Sequence, residues 1–394
     1  MTMSGLQETP AAQRLHIALY GRRNGGKSSL INALTGQNVA LVSPVAGTTA
    51  DPVKKAMELH PIGPVLFIDT AGYDDEGELG QLRVEATRDT LSRADVALLV
   101  IAGEPTQEDL GWVEQLKEKK IPFLVVQTKM DLLPPAPLPQ EMGERAVAVS
   151  AATGEGVEGL RAALTALVPE DFGRQDLTRG LCKAGDVVLL VMPQDIQAPK
   201  GRLILPQVRT IRHLLDLKCT VVSTTADGLE GALAALSTPP RLIITDSQCF
   251  PLVAGKKPPE SLLTSFSILM AADKGDIDAF AQGAKAIGRL HEGSRVLIAE
   301  GCTHAPLEED IGRVKIPNLL RKRVGQSLRV DVVAGNAFPR DLTGYDLVIH
   351  CGGCMFNRSY VLARLAQAKA QGVPMTNYGV AIAYLTGILD QVSW

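Results

Sequence analysis

The chain has 394 residues, 45% of them hydrophobic and 21% charged, with a net charge of −3. This composition describes a globular protein with material for two or three domains, and it lacks the basic balance of a dedicated nucleic-acid binder. The polar start MTMSGLQETP has no apolar signal-peptide core, and runs such as VALLVIA at 96–102 are too short to span a bilayer, so a cytoplasmic protein without a membrane partner is expected. Six cysteines in a long chain of this kind argue for metal binding or buried thiols, not a disulfide framework.

From residue 15 to about 170, short apolar runs alternate with amphipathic stretches. LHIALYG, GPVLFIDTAG, DVALLVIAG, PFLVVQTKMD and AVAVSA read as strands; KSSLINALTG, RVEATRDTLSRA, EDLGWVEQLKEKK and GVEGLRAALTALV read as helices. Such βα alternation predicts a mostly parallel sheet covered on both faces. The polar stretch 170–180 reads as a linker. A second alternation follows, with strands DVVLLVMP, CTVVSTTA and RLIITDSQ and helices LPQVRTIRHLLDLK and LEGALAALS. FPLVAGKKPPE (250–260) reads as a second linker. The last unit carries strands RVLIAEG, SLRVDVVAG and YDLVIHC and the helix NRSYVLARLAQAKAQG. The expected fold is therefore α/β in three domains, 1–172, 178–260 and 262–394.

Gly21-Arg22-Arg23-Asn24-Gly25-Gly26-Lys27-Ser28 fits G-x-x-x-x-G-K-S between a strand and a helix. Its backbone N–H groups and the helix N-terminus suit phosphate, Lys27 neutralises the outer phosphates, and Ser28 offers a hydroxyl to Mg²⁺, with Ser29 beside it. Asp69-Thr70-Ala71-Gly72 ends a strand where Asp69 can hold Mg²⁺ through water and Gly72 can approach the γ-phosphate. Thr128-Lys129-Met130-Asp131 ends another. There a carboxylate can accept two N–H bonds from guanine that adenine does not offer, which selects GTP. Ser150-Ala151 can close over the base. Ala46-Gly47-Thr48-Thr49 lies where a switch loop belongs.

Near the C-terminus, Cys302-x-His304 and His350-Cys351-x-x-Cys354 bring together three cysteines and two histidines, each motif directly after an apolar strand. Ligands gather at the carboxyl ends of parallel strands, so two strand ends can converge on one site. Thiolates suit an iron–sulfur cluster and a structural zinc alike, and a site without metal is a third reading. No fourth cysteine lies at usable spacing, which makes His304 and His350 the nearest substitutes. Cys182, Cys219 and Cys249, in or beside apolar strands, read as core thiols.

The nucleotide motifs resemble the translation-factor-like GTPases that include the tRNA-modification and ribosome-assembly proteins TrmE and Era. That resemblance implies a potassium ion at Asn24 and assigns the Mg²⁺ threonine of the GTT switch to Thr49, with Thr48 as alternate. It also places Tyr73 where Ras-like proteins carry a water-orienting glutamine, leaving Asp74, Asp75, Glu76 or Glu78 as candidates for that task. The whole chain resembles HydF, a family of GTPases that help to mature iron–iron hydrogenases. CxH…HCxxC is that family's signature, and 198–217 and 263–287 look like it as well. The resemblance implies GTPase, dimerisation and 4Fe–4S cluster domains. Cys302, Cys351 and Cys354 would be the ligands, and the protein a homodimer. It further implies a scaffold for a di-iron precursor as cargo, with the radical-SAM maturases HydE and HydG and the apo iron–iron hydrogenase as partners. The rival readings are a tRNA-modification or ribosome-assembly GTPase with a structural zinc site, and a redox enzyme.

Overall fold

The computed structural model describes residues 9–36, 52–75, 77–143, 145–169, 172–173, 176–194, 203–301, 310–335 and 337–394. The chain divides into two units, Met1–Arg174 and Gln175–Trp394. Both are α/β, as the alternation predicts.

The first unit is built on one six-stranded sheet. Its strands are β1 (Leu15–Gly21), β2 (Val53–Leu59), β3 (Gly63–Asp69), β4 (Val96–Ala102), β5 (Phe123–Thr128) and β6 (Ala146–Ala148), in the order β2-β3-β1-β4-β5-β6. β1 pairs in parallel with β3 and β4, and β4 with β5, so the loops after β1, β3 and β5 open on one edge. Apolar side chains on both faces, among them Leu15, Ile17, Leu19 on one and Ala18, Tyr20 on the other, form two cores. β2 is a strand that periodicity did not reveal. It runs antiparallel to β3 at the sheet edge. Its sequence VKKAMEL lacks an apolar run because an edge strand buries little and uses charge to repel further pairing.

The second unit holds two four-stranded sheets. In the first, β7 (Val187–Val191), β8 (Thr220–Thr224), β9 (Leu242–Thr245) and β10 (Leu262–Ser265) run in the order β10-β9-β7-β8. In the second, β11 (Arg295–Glu300), β12 (Arg329–Ala334), β13 (Leu347–His350) and β14 (Met375–Asn377) run β12-β11-β13-β14. All pairings in both are parallel.

The expected linker at 250–260 is different in the structure. Phe250–Lys256 is a helix with Pro251 in its first turn, where the missing N–H has no intrahelical partner to lose. Phe250 and Val253 are buried. β10 joins the middle sheet, so that sheet continues past the seam expected at 260–262. The two sheets also share one apolar core, which unites Leu189, Ile243 and Phe250 with Val296, Ile298, Leu347 and Ile349.

Candidate functional site

The phosphate loop follows β1. Gly26 starts the helix Lys27–Thr35 at φ 92°, a left-handed conformation in which a side chain would be strained, and Asn24 takes φ 56°. Asn24 and Ser29 are exposed on this loop and first turn, while Gly21, Gly25 and Lys27 are buried. Lys27 Nζ donates to the carbonyl oxygens of Gly21 at 2.6 Å and Arg22 at 2.8 Å. Burial lowers its pKa, and the nearby carboxylates of Asp69, Asp74 and Asp75 oppose that shift. Ser28 Oγ donates to Asp69 Oδ2 at 2.6 Å, which brings together the two groups expected to serve Mg²⁺. Burial raises the Asp69 pKa, offset by Ser28, Lys27 and Lys55. A divalent cation at this oxygen pair would supply the missing charge, so the donor set fits Mg²⁺.

The base end assembles from β5 and the segment after β6. Thr128 is buried and donates through Oγ1 to the Gly25 carbonyl at 2.6 Å, so this motif threonine braces the phosphate loop from behind. Lys129 turns the chain at φ 62°. Asp131 is exposed, and the fully buried Ser150 donates to its Oδ1 at 2.7 Å. Ala151 follows, half-buried. Ser150 thus orients the Asp131 carboxylate.

In the loop after β3, Tyr73 turns into the core. Its ring is buried, and its hydroxyl donates to Asp109. Burial and Asp109 together push its pKa far up. Asp74 Oδ1 accepts the Arg23 N–H at 2.6 Å, and Asp75 lies 3.5 Å from Arg83. Thr48, Thr49 and Glu76 lie outside the described residues, as does the side chain of Glu78.

The second site forms where β11 and β13 lie side by side, Ala299 opposite His350. Gly301, the residue before Cys302, donates its N–H to Cys351 Sγ at 2.9 Å, and Gly353 donates to the same sulfur at 3.4 Å. Two backbone N–H groups thus point at the sulfur that a metal would take. Gly353 turns the CxxC loop at φ 63°, which glycine adopts without strain. These residues fit a thiolate-bound cluster. Cys302 and His304 lie outside the described residues, and among those described no three His, Cys, Asp or Glu side chains gather to hold a metal ion.

His350 corrects an expectation. It is 1% exposed, and both ring nitrogens are engaged. Nδ1 donates to the Cys351 carbonyl at 2.7 Å, and Nε2 accepts from Arg364 Nη1 at 2.9 Å. Burial and the Arg364 charge push its pKa down to about 3. His350 therefore supports the cysteine loop from beneath and presents no nitrogen to a metal. Arg364, 3% exposed, has its guanidinium over the rings of Phe338, Phe356 and Tyr360. Sequence reasoning passed over Arg364, because an arginine in a helix reads as a surface residue.

Comparison with known proteins follows the same division. Residues 16–129 match the family described as 50S ribosome-binding GTPase. Residues 177–275 match the hydrogen maturase F dimerization domain, and 278–393 the hydrogen maturase F tetramerization domain. The tRNA modification GTPase MnmE of Aquifex aeolicus is 40% identical over 147 residues, 36% of this chain and 32% of that protein. GTPase Der of Nitratidesulfovibrio vulgaris is 39% identical over 140 residues, 34% of this chain and 28% of that one. The chain thus spans about a third of the length of these relatives. Among solved structures, Era in complex with MgGDPNP and a piece of 16S ribosomal RNA is 21% identical, covering 54% of this chain and 92% of that one at a TM-score of 0.36. Among the described residues no helix is long and apolar enough to cross a membrane. A P-loop GTPase domain is followed by two domains specific to one family, which together fill more than half of the chain; the chain belongs to the hydrogen maturase F family.

Proposed function

We propose that the protein hydrolyses GTP to GDP and phosphate and holds a 4Fe–4S cluster on Cys302, Cys351 and Cys354, as scaffold and carrier for the di-iron precursor of the iron–iron hydrogenase active site. The observation that carries the cluster reading is the meeting of the ends of β11 and β13, where Gly301 N–H reaches Cys351 Sγ. That contact joins two motifs far apart in sequence. HydE, HydG and the apo hydrogenase are the partners this reading entails, and the fourth ligand is an exchangeable group other than His350. Absorption and EPR spectra of anaerobically reconstituted protein test it. A colourless protein that retains zinc would favour the tRNA-modification reading.

Asp131 is assigned the choice of base. Asp131→Asn is expected to weaken GTP binding by about 1.5–3 kcal/mol, the value of a hydrogen bond to a charged group. Competition binding against ATP checks it, and equal turnover of ATP and GTP by the wild type would remove Asp131 from this role.

Potassium is assigned to Asn24, where a second cation offsets charge on the transferring phosphate. Hydrolysis is expected to run faster in KCl than in NaCl at matched ionic strength. Indistinguishable rates would leave Asn24 without that function.

Dimerisation and tetramerization domains point to self-association. We assign part of that surface to the helix Leu205–Asp216. Leu214 is its core residue, whereas Val208 and Leu215, two turns apart on one face, are 42% and 49% exposed. The edge strand β8 borders the same sheet. Val208→Asp with Leu215→Asp is expected to reduce the molar mass seen by light scattering. An unchanged oligomer would place the interface elsewhere.

A further inference from the structure

The loop after Asp69 is held from two sides. On one, Gly72 lies against the phosphate loop so closely that a side-chain carbon there would sit 2.5 Å from the Arg23 nitrogen, and Asp74 accepts that nitrogen's hydrogen at 2.6 Å. Between these residues Tyr73 turns the opposite way. Its hydroxyl donates to Asp109 Oδ1, and its ring stacks on Trp112 with centroids 5.4 Å apart. Trp112 stacks in turn on Tyr20 at 4.8 Å, and Tyr20 immediately precedes Gly21 of the phosphate loop.

Asp109 is 0% exposed and sits in the first turn of the helix Gln107–Glu118. Its Oδ2 accepts from Thr106 N at 2.7 Å and Thr106 Oγ1 at 2.8 Å, and lies 3.7 Å from Arg22 Nε. Arg22 belongs to the phosphate loop and also donates to the carbonyls of Ala102 and Glu104, at 3.2 and 3.0 Å. Capping the helix needs the Thr106 bonds alone. It needs neither Tyr73 nor Arg22. One buried carboxylate thus touches the loop after β3, the phosphate loop and the β4–helix turn. Bonds to an ionised acceptor away from water are roughly twice as strong as neutral ones.

We infer that Asp109 is a positioning residue for GTP hydrolysis. Through Tyr73 it fixes where Gly72 stands relative to the phosphate loop, and through Arg22 it ties that setting to the loop itself. Asp109 does not touch substrate. The backbone N–H of Gly72 must meet the γ-phosphate as charge develops on it, and a donor already in place avoids reorganisation at that moment. The inference rests on the GTPase reading.

The test uses the full-length protein with Tyr73→Phe, which keeps the ring stack and loses the hydroxyl, with Asp109→Asn, which keeps shape and an acceptor for Thr106, and with the two combined. Steady-state GTP kinetics are measured with Mg²⁺ and K⁺, alongside melting temperature. Each single change is expected to lower kcat about tenfold while KM stays within about twofold, the signature of an interaction expressed in the transition state. The double variant should be no slower than Asp109→Asn alone, since Tyr73→Phe acts through the same Tyr73–Asp109 contact. In a Trp394→Phe background Trp112 is the remaining tryptophan, and Tyr73→Phe should shift its emission on addition of GTP and Mg²⁺ relative to Tyr73 protein. Wild-type kcat in Tyr73→Phe would overturn the inference. So would a fall in kcat that tracks melting temperature and disappears on cooling, which marks a folding role alone. A wild-type protein with no GTP turnover would instead overturn the GTPase reading on which the inference stands.

Discussion

Replacing Lys27 by alanine is expected to lower GTP turnover at least about a hundredfold, the scale of removing one preorganised donor from a developing oxyanion. The ammonium lies 2.6 and 2.8 Å from two phosphate-loop carbonyls, buried among Asp69, Asp74 and Asp75. Alanine would leave those carbonyls and the incoming phosphates facing each other without a cation between them. Cluster absorbance should be unchanged, because Lys27 and Cys351 belong to separate units of the chain. Phosphate release and visible absorption, measured on one preparation, check both halves. Bleaching that accompanies the loss of turnover would refute the independence of the two sites.

Cys351→Ala should reduce bound iron and visible absorbance to background, whereas His350→Gln should retain the cluster. Cys351 is the sulfur that two backbone N–H groups converge on, so its loss takes a ligand and leaves both donors unmatched. His350 is closed on both sides by Cys351 O and Arg364, so glutamine is expected to lower the melting temperature without moving the EPR response to added imidazole. Iron analysis and EPR on the two variants decide. An iron-loaded Cys351→Ala protein would mean that the cluster sits elsewhere, and a His350→Gln protein whose EPR spectrum is altered before imidazole is added would return His350 to the ligands.

The nucleotide motifs were legible because their chemistry is local. Gly21 to Ser28 are one continuous stretch from strand end to helix start, and Asp69 and Thr128 each end a strand whose apolar run announces it. The side on which a residue faces was not legible. Tyr73 follows Gly72 directly, yet whether it meets the nucleotide or a helix depends on Trp112 and Asp109, which are remote in sequence. The Thr106-x-x-Asp109 spacing signals a helix start and says nothing about the tyrosine above it. His350 misled for a related reason: a histidine next to a cysteine looks like a ligand until Arg364, one helix away, takes its free nitrogen. The seam at 250–260 failed through its prolines and glycine, which punctuate chains in general. Here Pro251 opens a helix, and Phe250 beside it is core. Val208 and Leu215 were visible as apolar residues, but which of the helix's apolar positions stay outside depends on how the helix rests on its sheet.

On the proposed function, the core shared by the two sheets of the second unit links assembly thermodynamically to cofactor retention. Leu189 and Ile243 of one sheet pack in one core with Ile298 and Ile349 of the other, so the sheet that bears the proposed association surface and the sheet that ends at Cys351 are expected to unfold together. Association stabilises the folded protomer by mass action. Dilution therefore loosens the ground under the cysteines without altering a single ligand. Loss of iron on dilution should follow the dissociation curve of the oligomer.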